Sequence, residues 1–292
     1  MSGLDQVKRV IVVLSGKGGV GEYDHDDGFP RQMNEKHLIV GKSTIAAQLA
    51  VSLYTRGNRV GLLDVDLCGP SIPRMFGVDR SSTSATVYET AEGMTPIEIF
   101  SPSFKLMSMA LLLDNANDAI IWRGPRKMSM IQRLLTGVKW GELDYLIIDT
   151  PPGTSDEHIT VMTVLKQHEH AKDFLRAILV TTPQMLSIND VRREITFCQK
   201  TAFNIVGLIE NMSGYVCPHC SECTNIFAQG GGKLLAEQYA IPFLGQLPID
   251  HSLNTVLDQG IQQVENGLEV IKGTEVMKLF ENILNQILQR WE

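Results

Sequence analysis

Long uncharged apolar runs are absent from this 292-residue sequence, and none approaches the roughly 18 residues that a membrane-spanning helix requires. The N-terminal residues lack the apolar core of a secretory signal and include Asp5, an acid that is unusual in transit peptides. The five cysteines are too few and too unevenly placed for a disulfide scaffold. Positive charge is not in excess either, because the net charge is −7. These absences predict a cytoplasmic protein with reduced thiols and with neither a membrane nor a nucleic acid as partner.

Short apolar runs rich in Val, Ile and Leu alternate along the chain with helical patterns. The runs do not alternate with polar residues, which is typical of parallel strands buried on both faces. The predicted strands cover residues 9–15, 59–64, 106–109, 145–149, 177–181, 205–210 and 242–247. The predicted helices cover residues 42–56, 125–136, 156–167, 187–201, 232–239 and 275–291. We expect one α/β domain over residues 1–292 with a doubly wound, mostly parallel sheet, and a polar surface excursion over residues 80–101.

A phosphate-binding loop is present in two pieces. The first strand ends in SGKGGVG, and a helix begins later with GKSTIA. Joined, they contain GxxxxGK[ST], in which backbone amides surround a phosphate, Lys42 reaches the β- and γ-phosphates, and the Ser43 hydroxyl binds Mg²⁺. The candidate nucleotide-binding residues of this loop are Gly16, Lys17, Gly18, Gly19, Val20, Gly21, Gly41, Lys42, Ser43 and Thr44.

Residues 22–41, EYDHDDGFPRQMNEKHLIVG, separate the two pieces. A phosphate loop needs consecutive amides, and this segment divides them where the phosphates would lie. Its five acidic residues outnumber Arg31 and Lys36 by three, which places repulsive charge beside a triphosphate. We therefore interpret residues 22–41 as a non-native insertion that weakens ATP binding.

Two further strand ends carry acidic residues. Asp64 and Asp66 close the predicted strand in LLDVD, and Asp149 closes YLIID before a Pro-Pro-Gly turn. The carboxyl ends of parallel strands are where open α/β sheets bind ligands. Asp149 has the Walker B arrangement, which holds Mg²⁺ directly or through water.

A cysteine motif, VCPHCSEC, follows the predicted strand at 205–210. Cys217 and Cys220 have the CxxC spacing at which two thiolates bind one metal centre. Two such pairs could complete a [4Fe–4S] cluster across a two-fold axis. Alternatively, Cys217, Cys220, Cys223 and His219 could bind zinc within one chain, or the pair could be a redox dithiol.

The motifs GKGGVGKS (interrupted), DVDLCGPS, DTPPGTSDEH, TTPQ, NMSGYVCPHC and FLGQLPID occur in this order. Together they resemble the Mrp/NBP branch of the MinD- and ParA-like P-loop ATPases with a deviant Walker A motif, which scaffold iron–sulfur clusters. The resemblance covers the chain outside residues 22–41. The chain is most similar to the shorter scaffold subunit of this branch, because the longer subunit carries an N-terminal four-cysteine motif and the first cysteine here is Cys68.

The resemblance implies roles for particular residues. Lys17 would reach the partner's nucleotide across a dimer interface, Asp66 would lie near the attacking water and Mg²⁺, and Asn211 would read adenine. Lys17, Lys42 and Asp66 are thus the expected catalytic set of a slow ATPase. Cys217 and Cys220 would hold a labile [4Fe–4S] cluster shared between subunits, with a less certain role for Cys223.

The resemblance also implies partners. We expect a heterotetramer with a longer paralogous subunit, or a homodimer, and client iron–sulfur apoproteins. Two other classes stay open: a MinD-like membrane-associated positioning ATPase, whose case rests on the amphipathic C-terminal segment 275–291, and a P-loop ATPase with structural zinc. A packed helix is the commoner meaning of such a segment.

The origin of residues 22–41 is testable. The segment has 20 residues, or 60 nucleotides at three per codon, and the codons of Gly21, Glu22 and Tyr23 at its start can contain a donor-like GTGAGT. Removing it restores GKGGVGKST without a scar. We predict that sequencing the cognate mRNA will reveal a shorter transcript that lacks these nucleotides, as expected for a retained intron. A transcript population that always keeps them would contradict this origin.

Overall fold

A mostly parallel sheet of eight strands lies at the centre of the described structure. The computed structural model describes residues 3–16, 41–66, 69–78, 87–91, 93–100, 102–112, 124–153, 156–168, 171–216, 223–224 and 230–291. The strands of these residues are β1 (Val10–Ser15), β2 (Val60–Asp64), β3 (Glu89–Thr90), β4 (Gly93–Met94), β5 (Ile97–Phe100), β6 (Phe104–Ser108), β7 (Tyr145–Asp149), β8 (Leu175–Thr181), β9 (Ile205–Glu210), β10 (Tyr215–Val216), β11 (Cys223–Thr224), β12 (Phe243–Gln246) and β13 (Ile249–Asp250).

The order of the main sheet is β12-β9-β8-β1-β7-β2-β6-β5. Its strands pair in parallel except β5, which is antiparallel to β6 at the edge. After β1 the chain crosses to β2 on one side, and after β7 it crosses to β8 on the other. The crevice between β1 and β7 is therefore the point where the connections reverse, and open α/β sheets bind ligands at such a point.

Helices cover both faces of the sheet. In the described residues they are α1 (Lys42–Thr55), α2 (Ile72–Met75), α3 (Gly124–Gly137), α4 (Asp156–Lys166), α5 (Ala171–Phe174), α6 (Met185–Lys200), α7 (Gly231–Gln238), α8 (His251–Gln259), α9 (Gly267–Gly273) and α10 (Glu275–Gln289), with 3-10 turns at Met109–Leu112 and Ile261–Gln263. Helices α1, α2, α8, α9 and α10 share one apolar core, and α3, α4, α6 and α7 share the other.

Alternate residues of each central strand belong to the two cores. In β1, Ile11 and Val13 face the core beneath α1 and α10, whereas Val10, Val12 and Leu14 face the core beneath α4 and α6. All five side chains are fully buried. This double burial explains why the strand sequences are continuously apolar, because a polar side chain on either face would lose its hydration.

The doubly wound α/β prediction is confirmed. The predicted strands at 145–149 and 205–210 match β7 and β9 at both ends, and the other predicted strands and helices differ by no more than a few residues. The predicted surface excursion over 80–101 is wrong at its end, because β5 is an edge strand that buries Ile97 and Ile99. Helices α8 and α9 were not predicted.

The C-terminal amphipathic segment forms α10, and its apolar side packs into the first core. Val276, Met277, Phe280, Ile283 and Leu284 are almost completely buried there. The apolar face on which a membrane-binding interpretation rested is therefore used for packing. Among the described residues, no helix is both long enough and apolar enough to span a membrane.

Candidate nucleotide and metal site

The crevice between β1 and β7 contains the start of α1. Gly41 is the N-cap of this helix, and its carbonyl oxygen accepts the first helical hydrogen bond from the amide of Ile45 (3.2 Å). Helix α1 begins at Lys42, so the Lys42 and Ser43 side chains belong to its first turn. A helix N-terminus carries partial positive charge and free amides, which suit an anion.

Asp149, at the end of β7, brings the two phosphate-loop side chains together. The Lys42 ammonium donates to Oδ1 of Asp149, and the Ser43 hydroxyl donates to Oδ2 at 2.6 Å. The side chains of Lys42 and Asp149 are only 6% and 1% exposed. The structure thus places Lys42, Ser43 and Asp149 beside one another, with a hydroxyl, a carboxylate and an ammonium at one point.

A second buried carboxylate lies on the neighbouring strand. Asp64 is the register partner of Asp149 across the β2–β7 pair. Its oxygens accept hydrogen bonds from the Ser108 hydroxyl (3.1 Å) and the Asp66 amide (3.0 Å). Burial, followed by repulsion from Asp149, raises the pKa of Asp64 well above its ordinary value. Burial also raises the pKa of Asp149, while the Lys42 ammonium acts in the opposite direction.

Asp66 lies just beyond the end of β2, at the same edge of the sheet. Its carboxylate accepts a hydrogen bond from the Gly69 amide at 3.2 Å, and its side chain is half-buried. It is therefore more open to solvent than Asp64, which is completely buried. Of the two acids in DVD, Asp66 has the exposure that contact with a bound ion or water requires.

His158 is a site residue to which the sequence analysis assigned no role, although it lies in the DTPPGTSDEH motif. It is completely buried in α4, donates a hydrogen bond to the Pro151 carbonyl oxygen, and packs edge-on against Phe197. Burial, reinforced by the nearby Lys42 ammonium, lowers the pKa of His158 to about 4. A neutral imidazole therefore supports the turn after Asp149. His158 is identified as a site residue only by its contact with Pro151, and the spacing of residues in the sequence does not predict that contact.

Two hydrogen bonds fix the same turn to β1. The Thr150 hydroxyl donates to the Val13 carbonyl oxygen (2.8 Å), and the Gly153 amide donates to the Ser15 carbonyl oxygen (2.9 Å). The Pro-Pro-Gly turn is thus held against the strand that leads into Gly16. This arrangement joins the turn after the Walker B carboxylate to the end of β1, the strand that precedes the first half of the phosphate loop in the sequence.

Asn211 follows β9 at the carboxyl edge of the sheet, and its backbone amide donates to the Thr181 carbonyl oxygen at 2.8 Å. The chain then continues into β10, which pairs in parallel with β13 and antiparallel with β11. The backbone of Cys223 lies opposite Val216 in the β10–β11 ladder. The segment that carries Cys217 and Cys220 thus connects two paired strands.

Several predicted site residues lie outside the described residues: Lys17, Gly18, Gly19, Val20, Gly21, Cys217 and Cys220. The described candidates Gly16, Gly41, Thr44 and Asn211 all lie at the carboxyl edge of the sheet or in the first turn of α1. Cys198 is a thiol buried in the second core, and burial raises its pKa to about 12.

The fold and this site define a P-loop NTPase. A MinD structure from Pyrococcus furiosus has the same fold, with 19% identity, a TM-score of 0.58, and 97% and 99% of the two chains covered. The family described as "ParA: NUBPL iron-transfer P-loop NTPase" matches residues 39–288, and the chain belongs to this family.

Curated relatives narrow the likeness. "Cytosolic Fe-S cluster assembly factor NUBP2 homolog" from Nematostella vectensis is 51% identical over 88% of this chain and 86% of its own. "Cytosolic Fe-S cluster assembly factor NUBP2" from Gallus gallus is 46% identical over 99% and 96%. A solved nucleotide-binding protein from Archaeoglobus fulgidus, in complex with ADP, is 35% identical with a TM-score of 0.67 over 94% and 96%. The resemblance to the Mrp/NBP branch, and within it to the shorter scaffold subunit, is confirmed.

His158 makes the pH dependence of stability testable. Because its folded pKa of about 4 lies below the ordinary value of 6.5, the unfolded chain binds more protons between these pH values. Its contribution is complete above about pH 6.5 and is lost as the pH falls towards 4. By linkage it amounts to about 3 kcal/mol. We predict that His158→Gln flattens the urea-derived unfolding free energy across this window.

The matched control is His251→Gln, which removes an exposed histidine from α8. This variant is expected to keep the wild-type slope. An unchanged slope in His158→Gln would show that His158 is not held neutral.

Proposed function

We propose that this chain is an ATP-dependent scaffold that assembles a labile [4Fe–4S] cluster at a subunit interface and transfers it to cytosolic and nuclear apoproteins. The observation that carries the proposal is the convergence of Lys42 and Ser43 on Asp149 at the reversal point of the sheet, in a member of an iron-transfer P-loop NTPase family. The relatives' names contain "Cytosolic Fe-S cluster assembly factor", which supports the same role and compartment.

The donor set fits Mg²⁺ and a phosphate chain. Mg²⁺ prefers oxygen ligands and is bound by few protein groups, and the Ser43 hydroxyl and the carboxylates of Asp149 and Asp66 are such groups. Lys42 would exchange its bond with Asp149 for one with a phosphate oxygen, assisted by the N-terminus of α1. When bound, MgATP supplies the free energy of phosphoanhydride hydrolysis. Lys17, from a partner subunit, and Asn211 complete the proposed nucleotide contacts.

The cluster is the cargo. In the proposed assembly, Cys217 and Cys220 from two chains supply four thiolates, either in a homodimer or with a longer paralogous subunit. A cluster held half by each chain is retained only while the chains stay together. A change of dimer geometry on ATP binding and hydrolysis would then release it to a client, and slow ATPase activity would be sufficient for that role.

Residues 22–41 bear on the first half of this function. They separate Gly21 from Lys42, so the amides that would surround the β-phosphate are not consecutive, and they add net negative charge. In the proposed function this form of the chain binds ATP poorly.

Deleting residues 22–41 is expected to tighten ATP binding at least about tenfold, because it restores consecutive amides and removes three negative charges. Isothermal titration of both lengths with MgATP measures the difference. Lys42→Ala in the shorter chain controls for binding elsewhere and is expected to abolish the gain. Equal affinities of the two lengths would contradict the impairment.

Anaerobic reconstitution with iron and sulfide tests the cargo. The wild-type chain is expected to take up both, with a broad visible absorbance, and Cys217→Ala is expected to lose most of the iron and sulfide because two thiolates per cluster are removed. Cys198→Ala is the matched control, since Cys198 is buried in the second apolar core. Stoichiometric zinc without sulfide would contradict the cluster and favour the structural zinc site.

A further inference from the structure

Glu210 is a completely buried carboxylate at the end of β9. It belongs neither to the phosphate loop nor to the Walker B strand. Both of its oxygens are bonded. Oε1 accepts from the Ser213 hydroxyl and Oε2 accepts from the Gly232 amide, each at 2.7 Å. Burying a carboxylate is costly unless such donors are present, and hydrogen bonds to a charged acceptor are the stronger kind. The position is therefore specialised for an acid.

The two donors lie on opposite sides of the cysteine segment in the sequence. Ser213 precedes β10, after which the chain enters residues 217–222, and Gly232 is in the first turn of α7, where the chain returns. One side chain thus connects the departing strand with the returning helix. The carboxylate also lies at the N-terminus of α7, where the helix dipole favours negative charge.

The glycines at 230–232 make this contact possible. A Cβ on Gly232 would lie 2.8 Å from Oε2 of Glu210, and a Cβ on Gly231 would lie 2.1 Å from the Ile188 side chain. Gly230 has φ = 78°, which side chains rarely tolerate. All three positions of the GGG motif therefore bring the α7 backbone onto α6 and Glu210.

The departing strand is fixed by backbone bonds that begin at the same residue. The Leu247 amide donates to the Glu210 carbonyl oxygen (2.9 Å), the Ser213 amide to the Leu247 carbonyl oxygen (2.8 Å), and the Ile249 amide to the Gly214 carbonyl oxygen (2.8 Å). This ladder leads directly into the β10–β13 pairing. The chain therefore leaves for the cysteines from a rigid edge, and the Glu210 side chain ties that edge to the return point.

We propose that Glu210 is a positioning residue for the cysteine segment, joining its departing strand to the first turn of α7 through Ser213 and Gly232. The proposal rests on the proposed function for its metal-binding consequence. With Ser213 and Gly232 both bonded to Glu210, the chain leaves and re-enters the fold at a fixed separation on either side of Cys217 and Cys220 in the sequence. Loss of these bonds releases that separation and, in the proposed function, weakens the hold on a shared cluster.

Two substitutions break the join from opposite sides. Glu210→Gln removes the charge and one of the two acceptor oxygens, and Gly232→Ala puts a methyl group 2.8 Å from Oε2, which must then move. Their matched controls are Glu237→Gln, an exposed acid on α7, and Gly273→Ala, which has open space at its Cβ. Ser213→Ala is a milder third variant that deletes one donor and retains Glu210.

The full chain is studied by hydrogen exchange and by iron release from the anaerobically reconstituted protein to a chelator. We expect Glu210→Gln and Gly232→Ala to raise exchange in residues 217–232 and iron release each about tenfold, the equivalent of one charged hydrogen bond. Exchange in β1 and β7 is expected to stay within twofold. The double variant is expected to add little, because both changes remove the same bond.

If Glu210→Gln does not fold, Ser213→Ala and Gly232→Ala decide by the same readouts. Faster exchange with unchanged iron release would overturn the proposal, since Glu210 would then support only α7. Should the wild-type chain take up no iron and sulfide, the proposed function fails. In that case, hydrogen exchange in residues 217–232 is the remaining test of Glu210. If exchange there does not increase in the variants, the positioning role of Glu210 is overturned.

Discussion

The burial of two carboxylates side by side is the constraint on which the nucleotide end of this protein depends. Asp64 and Asp149 are neighbours in the β2–β7 register and are shielded from water. Burial raises the pKa of both acids, so a negative charge on them is tolerated only beside a compensating cation, which Lys42 supplies to Asp149 from the first turn of α1. The start of α1 and the turn after β7 are thereby fixed together. MgATP would have to replace the Lys42–Asp149 bond by an equivalent charge balance, which makes this pair sensitive to bound nucleotide.

Much of the fold follows from local pattern, because strands buried on both faces must be continuously apolar and their ends carry the polar site residues. Strand β5 was not predicted, and the reason is physical. It lies at the edge and buries only alternate residues, so Ile97 and Ile99 occur in a stretch that looks like polar surface. His158 escaped for another reason: its partner, the Pro151 carbonyl oxygen, lies in a turn whose path cannot be deduced from spacing.

The C-terminal helix shows what tertiary structure adds to an ambiguous signal. An amphipathic stripe is compatible with a membrane surface as well as with a protein core, although packing in a core is the commoner case. In α10 the stripe residues Phe280, Ile283 and Leu284 pack against the core that also contains Ile45 and Leu49 of α1. Moving α10 onto a lipid surface would expose that core, and with it the rear of the helix that positions Lys42. The packed interpretation therefore also accounts for the rigidity of the site.

In the proposed function, residues 22–41 affect nucleotide binding and cluster binding unequally. Residues 22–41 end directly before α1, whereas the cysteine segment is joined to the fold by β9, β13 and α7 through Glu210. The contacts of Lys42 with Asp149 and of Ser43 with Asp149 are formed after the interruption and use only side chains. What the interruption divides is the backbone cradle for phosphate. Metal holding and nucleotide binding thus have separate structural supports, so a chain defective in one can retain the other.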